Sequence, residues 1–281
     1  MSKFVTPLLT IGLGLALCLP PAHGQAPNAG GNGSRIDLAK EWWIQSSTKV
    51  AEKGDVVSTS KFRPGGWYES VVPTTVVATL VRNKVYPDPY FGMNLRSIPG
   101  TTYKIGANFS NLPMPADSPF AVSWWYRSQF QLPATVKGKR LWLNFDAINY
   151  RANIWLNGHQ VANSTLAVGM YRMFEFDITD LALPGAANTL AVEVIPPTQN
   201  DLTITYVDWN PMPPDKDMGL VRDVYIRVSG PVSLRNSQVV TKLENPPERA
   251  HLTLYADLRN AGTQPVEGTL QGSFDNVTVS K

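Results

Sequence analysis

Between positions 208 and 217 the chain gathers three carboxylates, an indole and an amide among three prolines. The residues are Asp208, Trp209, Asn210, Pro211, Pro213, Pro214, Asp215 and Asp217. Each proline fixes φ and removes a backbone donor, so the loop is stiff and cannot join a sheet. A stiff loop that sets an indole face beside carboxylate and amide groups suits a sugar, whose ring has one apolar face and a rim of hydroxyls. On residue types alone Trp209 has two readings, contact with a sugar or a structural plug, because ligand-binding side chains concentrate on loops held by a rigid scaffold.

The other candidate acids read as structural. Glu175 and Asp177 share the polar face of an alternating strand and are expected to be solvated edge residues. Asp215 and Asp217 would make a calcium site only with several more oxygen ligands, so loop solvation is the expectation for them. Asp146 and Arg127 could form a cross-strand pair. His159 and His251 are too few for a zinc site and are expected on the surface, while His23 belongs to the leader. No nucleophile elbow and no phosphate loop occurs, and nothing calls for a cofactor.

The elements that must position the loop are strands. Ser123–Leu132, Arg140–Asp146, Ala152–Leu156, Met173–Ile178 and Thr189–Ile195 are apolar or alternating, and Leu141, Leu143 and Phe145 share one face. Asn157-Gly158 marks a tight hairpin. Residues Val71–Val81 fit an irregular strand or a short helix, and Asn83–Pro119 a long surface loop. Trp42, Trp43, Trp124, Trp125, Trp142 and Trp155 lie in strands and are expected to pack in the core or on a sheet face. Short strands with almost no helical period predict an all-β chain, an antiparallel sandwich or jelly roll. After Gly230-Pro231 the pattern restarts, with three or four strands up to residue 281. An immunoglobulin-like sandwich needs about seven, so an incomplete one is expected there.

The N-terminus reads as an export signal: Lys3, an apolar run Phe4–Leu19, then a small-residue site with cleavage near Gly24. The run is too short for a convincing membrane span. The expected organisation is therefore a signal peptide at 1–24, a flexible linker at 25–35, a jelly-roll domain at 36–231 and a partial immunoglobulin-like domain at 232–281. Cys18, the single cysteine, would leave with the leader. An exported protein, periplasmic or extracellular, follows, without a membrane partner. A formal charge of +3 with no basic cluster argues against nucleic acid.

Several segments together resemble the N-terminal portion of family 2 glycoside hydrolases, in the exo-β-D-glucosaminidase and β-mannosidase branch. They are Trp67-Tyr68 with Val72–Val76, Asp88–Leu95, Trp124–Arg127, Trp155–Gly158, Phe176–Thr179, Asn188–Val192, Asp208–Pro211 and Gly219–Val224. The resemblance implies a galactose-binding-like jelly roll, then an immunoglobulin-like sandwich, then a (β/α)8 barrel that holds the catalysis. It places Asp208, Trp209 and Asn210 on a loop that reaches into the barrel mouth and touches the terminal sugar, with Asn94 a further substrate-binding position. Asn210-Pro211 and Asn94-Leu95 lean toward glucosaminidases, whose ligands are chitosan-type or other β-linked oligosaccharides. Val221 departs from the pattern, because a Trp commonly precedes Arg-Asp-Val.

Retaining glycosidases need two carboxylates about 5–5.5 Å apart, and in this family the acid/base Glu follows an Asn on a barrel strand. The glutamates here are Glu41, Glu52, Glu69, Glu175, Glu193, Glu244, Glu248 and Glu267, and none follows an Asn. A barrel takes about 250 residues. No catalytic residue is therefore expected in this chain, which would work beside a C-terminal barrel it does not contain. The alternatives are a stand-alone carbohydrate-binding module and a purely structural sandwich.

Overall fold

A computed structural model describes residues 34–101, 112–203, 211–245, 249–274 and 277–280. The chain opens with β1 (Arg35–Asp37), β2 (Trp42–Ser46), a one-turn helix α1 (Gly54–Val57), β3 (Tyr68–Ser70) and β4 (Thr74–Thr75). Helix α2 (Val76–Arg82) follows, and then β5 (Trp124–Gln131), β6 (Arg140–Phe145), β7 (Arg151–Leu156) and β8 (His159–Ala162). The sandwich is completed by β9 (Phe174–Asp177), β10 (Ala187–Ile195), β11 (Gly219–Leu220) and β12 (Val224–Ser229). Beyond it lie β13 (Val232–Leu243) with β14 (Ala250–Asn260), and β15 (Gln271–Phe274) with β16 (Val277–Ser280).

Two antiparallel sheets face each other, ordered β3-β2-β5-β10-β7-β8 and β1-β12-β6-β9. The two-residue period decides what lies between them. Trp42, Ile44, Tyr126, Ile154, Leu190 and Val192 project from the larger sheet into one core, and Leu141, Leu143, Phe145 and Ile226 from the smaller. The protein is all-β, as the alternation predicts. The β7–β8 hairpin turns at Asn157 and Gly158, whose φ values of 53° and 89° suit an Asn-Gly turn.

Residues 76–82 form a helix, one of the two forms that fit this stretch, because its start is capped twice: Thr75 Oγ1 accepts from Ala78 N at 3.2 Å, and Asp215 Oδ2 accepts from Val77 N at 2.7 Å. Two other readings differ from expectation. The stretch after Asn83 is not all surface loop, since Asn94–Ser97 make a 3-10 turn and Ile98 is buried in the core. Arg127 and Asp146 do not pair, because they belong to different sheets. Arg127 is buried and donates to Val57 O and Thr59 O, both at 3.0 Å, while Asp146 accepts from the Tyr225 hydroxyl at 3.2 Å.

The β13–β14 ribbon explains a third difference. Its register puts Ser233, Arg235 and Arg259 on one face, against the outer side of the smaller sheet. There the Arg235 and Arg259 guanidiniums stand 4.7 and 4.6 Å from the Trp142 ring centroid. Glu175 accepts from Arg227 Nη2 at 2.5 Å, pairs also with Arg235, and lies 3.9 Å from Arg259. Its side chain is only 17 % exposed. Glu175 is therefore not a solvated edge residue: the ribbon covers it, and a covered carboxylate needs cationic partners. Asp177 stays at the rim, 3.5 Å from Arg140. The opposite ribbon face, with Val239, Leu243, Leu254 and Leu258, is exposed.

Candidate functional site

Asp208, Trp209 and Asn210 lie outside the described residues. The two stems of their loop are described, and both are tied to the sandwich by polar groups. On the leading stem Arg151, from β7, makes a bidentate pair with Asp201, Nη1 to Oδ2 at 2.8 Å and Nη2 to Oδ1 at 2.6 Å. Asp201 Oδ2 also accepts from Thr198 N at 2.7 Å. Burial pushes the Asp201 carboxyl up, but the Arg151 and Thr198 bonds outweigh it and leave the group below its ordinary value.

The trailing stem is held more deeply. Asp215 is buried; besides capping α2 it accepts from Asp217 N at 2.9 Å. Asn149 Nδ2 donates to the carbonyls of Lys216 and Asp217, each at 2.9 Å. Gly219 then passes so close to β4 that a Cβ would fall 2.4 Å from Thr74 O and 2.8 Å from the Tyr126 hydroxyl. No residue with a side chain fits there, which is the physical content of the glycine in the Gly219–Val224 segment.

The electrostatics of this stem overturn the expectation of a solvated loop. Burial pushes the Asp215 carboxyl up to about 6, against the N–H bonds from Val77 and Asp217, which pull it down. Asp217 is pushed up to about 7, by burial first and by the neighbouring Asp215 charge second. Between them Lys216 is 1 % exposed, and no acceptor among the described residues reaches its Nζ. Burial lowers its ammonium pKa, partly offset by the Asp201 charge. Asp215 thus locks the stem in place through its carboxylate, which the Val77 and Asp217 N–H groups hold, whereas Asp217 takes part through its backbone N–H and carbonyl. Among the described residues no set of three His, Cys, Asp or Glu side chains converges as metal ligands would.

Asn94 sits half-buried at the head of the 3-10 turn, with its Nδ2 donating to Asp88 O at 3.0 Å. Its turn is tied to Thr101, whose hydroxyl donates to Leu95 O at 3.1 Å and Ile98 O at 2.6 Å. A Cβ built on the adjacent Gly100 would lie 3.3 Å from Pro214 O. The Asn94 turn and the trailing stem therefore meet at one end of the sandwich. Arg151, Asp201, Asn149 and Lys216 carry no sequence signal for this role: each is a single polar residue in a strand or loop, and only the fold brings them to one place.

A sandwich of this topology, with loops of both sheets meeting at one end, is a galactose-binding-like domain. Residues 116–227 match the family model of the glycosyl hydrolase 2 galactose-binding domain-like fold. An exo-β-D-glucosaminidase of Streptomyces avermitilis is 37 % identical over 232 residues, covering 82 % of this chain and 24 % of the relative. A mannosylglycoprotein endo-β-mannosidase of Lilium longiflorum is 30 % identical, over 83 % of this chain and 25 % of its own length. The solved structure of Amycolatopsis orientalis exo-chitosanase CsxA superposes with a TM-score of 0.76 at 33 % identity, over 89 % of this chain and 27 % of that one. The chain carries the N-terminal galactose-binding-like domain of glycoside hydrolase family 2. It spans about a quarter of the length of these relatives.

Proposed function

We propose that this chain is the N-terminal sugar-binding portion of an exported glycoside hydrolase that removes terminal β-linked glucosamine from chitosan-type oligosaccharides. In this reading residues 1–24 direct export, 36–231 form the sugar-binding sandwich, and 232–281 begin an immunoglobulin-like sandwich. The bond-breaking carboxylates belong to a barrel region beyond this chain. Asp208 and Asn210 hydrogen-bond hydroxyl or amino groups of the terminal sugar, Trp209 walls its apolar face, and Asn94 closes the same end. The observation that carries the reading is the double anchoring of the loop. Arg151–Asp201 fixes one stem, and Asp215 with Asn149 fixes the other, while the relatives named for β-D-glucosaminidase activity supply the substrate class. Rigid stems suit a loop that must hold a sugar in one geometry.

The test is to express the complete polypeptide, measure release of glucosamine from a β-1,4-glucosamine dimer, and repeat with Asp208→Ala. A charge-assisted hydrogen bond to substrate predicts a fall in kcat/KM of about 10- to 100-fold. Release with Asp208→Ala unchanged would remove Asp208 from the site, and no release at all would end the reading. Secretion is checked separately by N-terminal sequencing of the exported product, expected to begin at Gln25.

A further inference from the structure

Gly230-Pro231, between β12 and β13, is the expected place for the chain to bend, yet the residues on either side of it are fastened across it. Ala261 N donates to Pro231 O at 2.9 Å, and Arg140 Nη2, from β6, donates to Ala261 O at 2.7 Å. Arg227 Nη1, from β12, donates to Leu234 O at 3.1 Å. Glu175 on β9 adds its pairs with Arg227 and Arg235 and stands 3.9 Å from Arg259. These contacts reach both strands of the ribbon from three strands of the smaller sheet. Trp142 is fully buried although it lies outside the inner core, beneath the Arg235 and Arg259 guanidiniums. A swing at Gly230-Pro231 would uncover that indole and leave Glu175 with Arg227 alone, and both changes are costly.

The fastening stops at a definite point. The ladder runs regularly to Arg235 opposite Asp257 and resumes at Gln238 opposite Tyr255, so Asn236 and Ser237 together face the single Ala256. Two residues against one is a β-bulge, which interrupts the ladder and bends the strand. Asn236 takes φ 48°, a left-handed conformation that Asn tolerates, and its Nδ2 donates to Asp257 Oδ2 at 2.7 Å. Burial changes at the same place: Val232–Arg235 are buried or half-buried, and residues 236–243 are exposed. We propose that the sandwich and the proximal ribbon, residues 232–235 with 257–261, move as one body, and that the distal ribbon, residues 238–243 with 250–255, pivots on the bulge at Asn236-Ser237. The swivel point of whatever the distal ribbon carries then lies past the clasp, and the surface around Trp142 and Glu175 stays closed when that part moves. This hinge is independent of the sugar chemistry proposed above.

Spin labels on the 281-residue chain, with Cys18→Ser, read the hinge directly. Asp180→Cys, exposed just past β9, is combined in turn with Leu258→Cys on the near side of the bulge and Leu252→Cys on the far side. Both leucines are exposed and share the ribbon face turned away from the sandwich. Pulsed electron resonance gives a narrow distance distribution for the 180–258 pair and one at least about twice as broad for the 180–252 pair. Glu175→Gln, which removes the shared carboxylate, broadens the 180–258 distribution to match the other. Arg259→Gln broadens it as well, and decides alone if Glu175→Gln does not melt cooperatively. Equal widths for the two pairs in the chain with Glu175 and Arg259 intact would overturn a pivot at the bulge. A 180–258 distribution that stays narrow in the folded variants would overturn the clasp.

Discussion

Replacing Asp217 by Asn should stabilise the protein at neutral and alkaline pH, and by an amount that depends on pH in a set way. In the folded chain burial and the Asp215 charge push the Asp217 carboxyl up to about 7 from an ordinary 3.8. A raised acid holds its proton in the folded state after the unfolded chain has released it. Stability is then lost as pH climbs from about 4 to 7 and levels off above that. A rise of about 3 units corresponds to a ceiling of about 4 kcal/mol. Asp217 is only half-buried and shares the repulsion with Asp215, so about 1–2 kcal/mol is the expected gain. The Asp217 backbone N–H, which donates to Asp215 Oδ1 at 2.9 Å, survives the change. Urea unfolding of both proteins at pH 4, 6 and 8 provides the test. The difference between them should be near zero at pH 4 and largest at pH 8. A difference that is constant with pH, or largest at pH 4, would refute the buried acidic pair.

Two further substitutions probe the scaffold. Glu175→Ala leaves Arg227 and Arg235 facing each other across the joint between the sandwich and the β13–β14 ribbon; a loss of about 2 kcal/mol is expected, together with faster proteolysis near residues 230–235, and unchanged cleavage would show that the joint does not depend on this carboxylate. Gly54→Ala drives a methyl group to 2.2 Å from the Trp155 ring, so α1 must lift away; a cost of about 2 kcal/mol and an altered tryptophan emission are expected, and a cost under about 0.5 kcal/mol would mean that α1 is free to shift.

The parts of the fold visible in the sequence are those set by local periodicity. Leu141, Leu143 and Phe145 alternate and fall in one core, and Asn157-Gly158 turns the hairpin it signals. The misreadings involve residues whose surroundings come from far along the chain. Glu175 looks solvated because its strand alternates, yet Arg227, Arg235 and Arg259 lie 52 to 84 positions away and close over it. Asp215 and Asp217 look like loop acids because prolines surround them, whereas the groups that bury and bind them belong to α2 and to Asn149. Helix α2 is ambiguous in the sequence for the same reason: its second cap is supplied by a residue no local window contains. Trp142 packs, but on the outer side of its sheet, under two arginines from the ribbon.

The bond from Val77 N to Asp215 spans 138 positions. On a ribosome adding about 5–20 residues per second, α2 emerges and then waits about 7–28 seconds before the acid that secures its first turn exists. Until then Val76, Val77 and Leu80 have no finished wall to rest on, since β12 is later still. The first strand waits longer still: β1 pairs with β12, so the smaller sheet is complete only once residues 224–229 exist.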